Sequence, residues 1–181
     1  VPRIPAKHAV SGINFQGIKT MSKLGFIGLG IMGAPMAAHL LKAGHEVFLT
    51  TRSKVPADLL TGKAVACKSA KEVAEKADII FMMLPDTADV AKVLFGEGGV
   101  ASGLAVAKGK TVVDMSSISP MDTKEFAKKI NELGSDYLDA PVSGGEVGAK
   151  AASLTIMVGG PDAAFDKVKP LFELMGKNIT L

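Results

Sequence analysis

The sequence predicts an α/β fold, a doubly wound and mostly parallel sheet with helices on both faces. From Leu24 onward, short apolar or β-branched runs alternate with helix-like segments, and this alternation indicates βαβ units. The first apolar run leads into three glycines spaced Gly-x-Gly-x-x-Gly, which are Gly28, Gly30 and Gly33. A turn of this spacing between a strand and a helix is typical of the first βα unit of a Rossmann-type sheet.

Apolar runs and their ends place the elements in the first half of the chain. Asp78–Leu84 is the most continuous apolar run, which favours a central strand that is buried on both faces, and Pro85 ends it. Gly44 ends the first helix. The predicted strands are Leu24–Ile27, Glu46–Thr50, Ala64–Cys67 and Asp78–Leu84, and the predicted helices are Ile31–Lys42, Ala70–Lys76 and Thr87–Leu94.

A glycine-rich loop at 96–99 and a short helix lead into the second half of the chain. Pro120 lies where a first helical turn tolerates proline, so it begins a helix that runs to Leu133. The further predicted strands are Thr111–Asp114, Tyr137–Asp139, Leu154–Val158 and Asn178–Leu181, and Pro161–Met175 is the last predicted helix. Right-handed crossovers would place these strands in the same sheet.

The composition fits one domain with a buried core. The chain has 181 residues, of which 48% are hydrophobic and 22% are charged, and no apolar run is long enough to cross a bilayer. We therefore expect a soluble protein that does not enter a membrane. Residues 1–20 carry the formal net charge of +3, and the remainder has as many acidic as basic residues. The charge thus gives no support to nucleic-acid binding.

Residues 1–20 lack a helical or strand period, and Met21 stands directly before the first strand. We expect this segment to be a leader or tag outside the domain, which would comprise residues 21–181. A transit peptide is the alternative, because the segment is basic and free of acids. Cys67 is the only cysteine, which excludes an intrachain disulfide and fits a reducing, cytoplasmic location. No motif predicts a metal site.

Each glycine of the turn has a mechanical role in binding a dinucleotide. Gly28 permits the tight turn, Gly30 lets the backbone approach a pyrophosphate, and Gly33 allows the helix to pack closely on the strand. Free N–H groups and the positive end of the helix dipole then hold the phosphates. The predicted cofactor-binding segment also includes Leu29, Ile31 and Met32.

The residues after the second strand bear on which cofactor binds. An NAD site has an Asp or Glu there that binds the ribose hydroxyls, but this chain has Thr51, Arg52 and Ser53. Hydroxyl groups and a guanidinium suit a 2′-phosphate. We therefore predict that NADP(H) is preferred and that NAD(H) remains possible. The alternative is that Arg52 is an ordinary solvated residue at a strand end.

Three segments together carry a family resemblance. They are Gly-Phe-Ile-Gly-Leu-Gly-Ile-Met-Gly-Ala-Pro-Met at 25–36, Asp-Met-Ser-Ser-Ile-Ser-Pro at 114–120 and Asp-Ala-Pro-Val-Ser-Gly-Gly at 139–145. The chain resembles the β-hydroxyacid dehydrogenases over residues 22–181, which implies an NAD(P)-linked interconversion of a 3-hydroxy acid with its aldehyde or ketone. Within the family, the resemblance favours reduction of tartronate semialdehyde to D-glycerate, with oxidation of 3-hydroxyisobutyrate as the alternative.

The resemblance also implies roles for residues outside the glycine turn. Met83, Leu84 and Pro85 would line the path of the cofactor, and Ser116 would stand on its nicotinamide side. The family's substrate-binding loop, which takes the carboxylate and hydroxyl of a small hydroxy-acid or semialdehyde substrate, corresponds to Ser143, Gly144 and Gly145. Two adjacent glycines expose N–H groups that suit an anion, although Ser-Gly-Gly is also ordinary turn chemistry.

The catalytic residue that the resemblance implies is not among these 181 residues. In the family it is a lysine on a long helix after the last strand, in a Gly-x-Gly-…-Lys-…-Asn segment. The chain ends at Leu181, ahead of such a segment, and neither Lys150 nor Lys177 matches its context. By the same resemblance, we expect the helical C-terminal domain that the family uses to form homo-oligomers to lie outside these residues. We expect a cofactor domain that binds NADP(H) without turnover, and the alternative is a non-catalytic dinucleotide-binding module.

Overall fold

The computed structural model of the protein describes residues 22–181, so the expected leader at 1–20 lies outside the described residues. The strands are β1 (Lys23–Ile27), β2 (Glu46–Thr50), β3 (Ala64–Ala66), β4 (Ile79–Met82), β5 (Thr111–Asp114), β6 (Asp136–Asp139), β7 (Val142–Ser143), β8 (Leu154–Met157) and β9 (Gly176–Thr180). The α-helices are α1 (Gly33–Lys42), α2 (Ala70–Lys76), α3 (Thr87–Phe95), α4 (Val100–Leu104), α5 (Pro120–Glu132), α6 (Gly145–Ala151) and α7 (Asp162–Met175). A 3₁₀ turn covers Ala57–Leu59.

Six strands form one parallel sheet in the order β3-β2-β1-β4-β5-β6. This order confirms the predicted doubly wound α/β fold, because the chain moves outward from β1 in one direction and then returns to continue from β4 in the other. The switch point therefore lies between β1 and β4. In such a sheet, ligands bind outside the carboxyl ends of the strands at this point.

The central strand β4 is shorter than the apolar run predicts. All four of its residues, Ile79–Met82, are fully buried, since helices cover both faces of the sheet. Met83 and Leu84 are only partly buried and leave the strand at its carboxyl end. On one face of the sheet, the Phe81 ring lies 6.0 Å from Phe26 and 6.4 Å from Phe172, measured between centroids.

The strands β8 and β9, at the predicted Leu154–Val158 and Asn178–Leu181, do not extend the main sheet as expected, and β7 was not predicted. These three strands form a separate sheet in the order β7-β8-β9, in which β7 and β8 are antiparallel and β8 and β9 are parallel. Two hydrogen bonds, Asp139 N–H to the Gly159 carbonyl at 3.0 Å and Gly159 N–H to the Asp139 carbonyl at 2.7 Å, join the small sheet to the end of β6. Helix α6 within this region was not predicted, because Gly145 and Gly148 have low helix propensity.

The helices differ in how their N-termini are satisfied. The Ser69 hydroxyl accepts a 3.1 Å hydrogen bond from Glu72 N–H at α2, and Asp86 accepts one of 2.9 Å from Asp89 N–H at α3. Helix α1 has no side-chain cap and no acidic residue in its first turn. Its N-terminus, directly after the glycine turn, therefore lacks the groups that usually neutralise the helix dipole. Among the described helices, none has both the length and the apolar character that a bilayer span requires.

Candidate functional site

A cleft of about 670 Å³ lies at the carboxyl ends of β1, β2 and β4. The predicted cofactor residues that line it are Gly28, Leu29, Gly30, Ile31, Met32, Gly33, Thr51, Arg52, Met83, Leu84 and Pro85. The tertiary structure thus brings three separate sequence segments to one surface. The cleft coincides with the switch point of the sheet, where the fold leads us to expect a ligand.

Two of the three turn glycines are required by close packing. A Cβ on Gly28 would collide with the Met83 carbonyl oxygen, and Gly28 has φ +96°, which side chains rarely adopt. A Cβ on Gly33 would collide with the Gly28 carbonyl oxygen. Helix α1 therefore begins directly against the turn, so that its N-terminus faces the cleft.

Gly30 differs from its neighbours because it faces open space. A Cβ built on Gly30 meets no atom within 4 Å, although Gly30 lines the cleft. Within residues 22–181, the backbone N–H groups of Gly30, Ile31 and Met32 donate to no acceptor. These unpaired N–H groups lie at the positive end of a helix, beside a space that a Cβ on Gly30 would fill. Such an arrangement fits the pyrophosphate of a dinucleotide.

The end of β2 carries the residues that bear on the choice of cofactor. The Thr51 hydroxyl oxygen accepts a 3.3 Å hydrogen bond from Leu29 N–H, which ties this segment to the glycine turn. Arg52 lines the cleft with a side chain that is 82% exposed, and its guanidinium donates to Asp89 Oδ1 at 2.8 Å. Ser53 lines a smaller neighbouring cleft of about 380 Å³, which shares Thr51 and other residues with the main one.

Sequence reasoning missed several polar residues of the main cleft. These are Lys68, Ser69, Asp89, Lys92 and Glu97. They lie in the loop after β3, in α3 and in the loop that follows α3. The rule that ligands meet the carboxyl ends of parallel strands could have indicated the loop after β3 and the first turns of α3. The side-chain pairing of Asp89 with Arg52, 37 positions apart, leaves no signal in the sequence.

Ser116 is fully buried and does not line the cleft. Its hydroxyl oxygen accepts a 2.8 Å hydrogen bond from Leu84 N–H, and its own N–H donates to Asp114 Oδ1 at 3.0 Å. The Tyr137 hydroxyl donates to Asp114 Oδ2 at 2.9 Å. This network connects the β4 end of the cleft with the core, so the contact of Ser116 with the cleft runs through Leu84.

Burial controls the protonation of the acids in this network. Burial raises the pKa of Asp114, against the opposing effect of hydrogen bonds from Ser116 and Tyr137. Burial, and next the nearby Asp114, raise the pKa of Asp139 to about 6. Burial also raises the pKa of Tyr137, so this hydroxyl keeps its proton and acts as a donor at neutral pH.

The expected substrate loop lies at the start of α6, outside the cleft lining. Ser143 is exposed in β7, where it pairs with Thr155 of β8. Gly144 and Gly145 are exposed with φ of +134° and +62°, values that favour glycine. Neither glycine N–H donates a hydrogen bond within the described residues. These N–H groups are available to an anion.

A histidine links α1 to α6, the helix that begins at this loop. His39 Nε2 in α1 lies 2.8 Å from the Ala149 carbonyl oxygen in α6. Lys150 and Lys177, neither of which matches the context of the family's catalytic lysine, lie elsewhere: Lys150 pairs with Glu146 at 2.8 Å, and Lys177 is exposed on β9. Among the described residues, no cluster of three His, Cys, Asp or Glu side chains suits a metal ion.

Cys67 lies in the smaller cleft beside the main one. It is half-buried, and burial, followed by the charge of Glu72, raises the pKa of its thiol to about 11. The thiol is therefore protonated at neutral pH and is a poor nucleophile.

The sequence matches known proteins over almost all of the described residues. Residues 23–181 match the family of the NAD binding domain of 6-phosphogluconate dehydrogenase. The chain is 62% identical over 159 residues to the 2-hydroxy-3-oxopropionate reductase of Escherichia coli (strain K12), which covers 88% of this chain and 54% of that protein. The chain thus spans about half the length of the curated relatives that it matches.

Solved structures show the same fold. A complex of Psf3 with NADP⁺ and 2-OPP has a TM-score of 0.79 at 29% identity, covering 87% of this chain and 55% of that one. A Mycobacterium tuberculosis 3-hydroxyisobutyrate dehydrogenase with L-serine has a TM-score of 0.77 at 36% identity, covering 88% of this chain and 53% of that one. Both matches confirm the predicted fold class.

Proposed function

Because the chain belongs to the family of the NAD binding domain of 6-phosphogluconate dehydrogenase, we propose that it is the cofactor-binding part of an oxidoreductase that reduces tartronate semialdehyde to D-glycerate. The observation that carries the proposal is the open space at Gly30 beside three unpaired N–H groups. The 62% identity to a 2-hydroxy-3-oxopropionate reductase supports this substrate over others of the family.

The glycine turn and α1 hold the pyrophosphate of the cofactor. The N–H groups of Gly30, Ile31 and Met32 donate to phosphate oxygens, and the positive end of the α1 dipole adds to the attraction. Met83 and Leu84, at the end of β4, form an apolar wall of the same cleft and exclude water from it. Ser116 keeps this wall in place through Leu84 N–H.

The phosphorylated cofactor is the preferred one. Arg52 is a cation at the mouth of the cleft, and Thr51 and Ser53 flank it with hydroxyl groups. Lys68 lines both clefts and adds a second positive charge. A 2′-phosphate gains from such donors because charge-assisted hydrogen bonds are stronger than neutral ones. NAD(H) binds with the same turn and lacks this gain.

The loop at the start of α6 takes the substrate. Gly144 and Gly145 present N–H groups to the carboxylate, and the Ser143 hydroxyl donates to it or to the substrate hydroxyl. A bound reduced nicotinamide would supply a hydride to the carbonyl carbon, and completing the alcohol would then require a proton on the carbonyl oxygen. Neither Lys150, which pairs with Glu146, nor Lys177 supplies that proton. We assign it to a lysine of the whole protein outside residues 1–181, as the family resemblance implies.

Two alternatives are tested against this proposal. The similarity to a 3-hydroxyisobutyrate dehydrogenase favours a substrate with a methyl group in place of the hydroxyl. A dinucleotide-binding module without catalysis would bind cofactor equally well. Homo-oligomers formed through a helical C-terminal domain are part of the proposal for the whole protein, and sedimentation of the whole protein against residues 1–181 tests that part.

The deciding experiment has two arms. In the first, residues 1–181 are titrated into NADPH and NADH while the nicotinamide fluorescence is followed; the chain has no tryptophan, so the protein adds little emission. Saturable binding, tighter for NADPH, is expected, and its absence with both cofactors would contradict the proposal. In the second, the whole protein is assayed with tartronate semialdehyde and with methylmalonate semialdehyde. Faster turnover of the second would transfer the assignment to 3-hydroxyisobutyrate.

A further inference from the structure

The strongest feature that the proposed function leaves unused is the ion pair across the mouth of the main cleft. Arg52 follows β2, and Asp89 lies in the first turn of α3, which follows β4; in the sheet, β1 lies between β2 and β4. The guanidinium and Asp89 Oδ1 are 2.8 Å apart, and both residues line the cleft. No carboxylate follows β2 beside Arg52 in the sequence, but the fold brings the carboxylate of Asp89 to it.

The two partners are held to different degrees. The Arg52 side chain is 82% exposed, whereas that of Asp89 is 22% exposed. The backbone N–H of Asp89 is bound at 2.9 Å by Asp86 Oδ1, the side-chain cap of α3. Asp89 is thus a largely buried anion in the wall, and Arg52 is an exposed cation that lies against it.

We propose that Asp89 is a specificity-determining residue, which competes with the cofactor's 2′-phosphate for the Arg52 guanidinium. The inference rests on the proposed binding of NAD(P)(H) in this cleft. A 2′-phosphate dianion that reaches Arg52 must displace a carboxylate or share the guanidinium with it, and like charges at such distances repel one another. The unphosphorylated ribose brings no charge, so Asp89 opposes only the phosphorylated cofactor. With Asp89 beside Arg52, the cleft therefore selects NADP(H) over NAD(H) less strongly than it would with Arg52 alone.

The test measures dissociation constants of NADP⁺ and NAD⁺ by calorimetry, at low ionic strength, for residues 1–181. Asp89→Asn keeps the size of the side chain and removes its charge. We expect this substitution to tighten NADP⁺ binding about three- to tenfold and to change NAD⁺ binding by less than about twofold. Added salt should reduce the gain because it screens exposed charges.

Two further variants separate competition for Arg52 from a general effect of cleft charge. Glu97→Gln removes a carboxylate that lines the same cleft and makes no ion pair with Arg52, so its effect on NADP⁺ should be clearly smaller. When Asp89→Asn is introduced into a protein that already carries Arg52→Gln, it should give no gain in NADP⁺ affinity. Circular dichroism confirms that each variant is folded.

The outcomes are distinct. Weaker NADP⁺ binding by Asp89→Asn would mean that Asp89 holds Arg52 ready for the phosphate, and would overturn the inference. An equal gain for both cofactors, an equal gain in Glu97→Gln, or a gain that persists without Arg52 would overturn it as well. Those results leave the proposed function intact. Failure of the wild-type chain to bind either cofactor would overturn both.

Discussion

The Ser116 hydroxyl oxygen accepts a 2.8 Å hydrogen bond from Leu84 N–H, across 32 positions of the chain. The two residues follow β5 and β4, which are neighbours in the parallel sheet. Leu84 lines the cleft, whereas Ser116 is fully buried behind it. The family resemblance assigns Ser116 to the nicotinamide side of the cofactor. In the structure, Ser116 contacts the cleft wall only through the backbone N–H of Leu84.

We predict that Ser116→Ala destabilises the protein and weakens cofactor binding together. The substitution leaves the Leu84 N–H without its acceptor in a partly buried position, which should lower the free energy of unfolding by about 1–2 kcal/mol. Urea denaturation measures this loss, and a cofactor titration measures the affinity. Ser117→Ala is the matched control, because Ser117 is exposed, and it should change stability by less than about 0.5 kcal/mol. Equal losses in the two variants would contradict the prediction.

Gly30→Ala should weaken cofactor binding with little effect on folding. Its Cβ meets no atom within 4 Å, so the fold accommodates it, but the methyl group would occupy the space that we assign to the pyrophosphate. We expect roughly tenfold weaker binding of NADPH or more. Gly28→Ala is the contrasting variant, since its Cβ collides with the Met83 carbonyl oxygen and should lower the melting temperature. Unchanged affinity in folded Gly30→Ala would exclude the pyrophosphate from this position.

Ionisation of Asp139 should lower the stability of the protein as the pH rises from about 4 to 6. Its pKa is about 6 in the folded protein against about 3.9 in an unfolded chain. The folded state therefore binds more protons in this interval, and ionisation of Asp139 above it disfavours the fold. Asp139→Asn should remove that contribution, about 1 kcal/mol once solvent screening is allowed for.

The control for this pH effect is Asp136→Asn. Asp136 is exposed at the first position of the same strand, so its substitution should leave the slope of stability against pH unchanged. Urea denaturation at pH 4, 5, 6 and 7 gives the slopes of both variants and the wild type. A slope in Asp139→Asn that equals that of the wild type would show that burial does not disfavour the ionised group.

Lys110 should stabilise the C-terminal end of α2. Its buried ammonium donates to the carbonyl oxygens of Ala74 and Glu75, where the helix dipole is negative. Lys110→Met leaves both carbonyls without this donor and should cost about 1–3 kcal/mol. Lys108→Met, at an exposed position nearby, should be close to neutral. Thermal unfolding compares the two, and the prediction fails if their melting temperatures agree.

The main sheet could be predicted from the sequence because its signals are local. Apolar runs predict the strands β1 to β6 to within two residues at each end, and their alternation with helices indicates parallel crossovers. The small sheet could not be predicted in the same way. Whether β8 pairs with β6 or with β7 depends on where α6 reverses the chain. Helix α6 contains two glycines, whose low helix propensity argues against predicting a helix there.

The site divides in a similar manner. Gly28, Gly30 and Gly33 were identified from spacing alone, because the turn, the strand before it and the helix after it are one continuous segment. The residues at the ends of β4 and β2 were identified from the family resemblance and from the rule that ligands bind at the carboxyl ends of parallel strands. The assignment of these two ends as cofactor contacts, and of Ser143–Gly145 as substrate contacts, stays a prediction.

The sequence by itself determined the class of fold, the family and the position of the glycine turn, since each depends on residues close together in the chain. Only the tertiary structure decided that Asp89 meets Arg52 and that Ser116 bonds to Leu84. Both pairs join loops or helices after different strands, and the distance between them depends on strand order and helix placement. The sequence shows which side chains are charged, but the packing of the elements determines which of them form an ion pair.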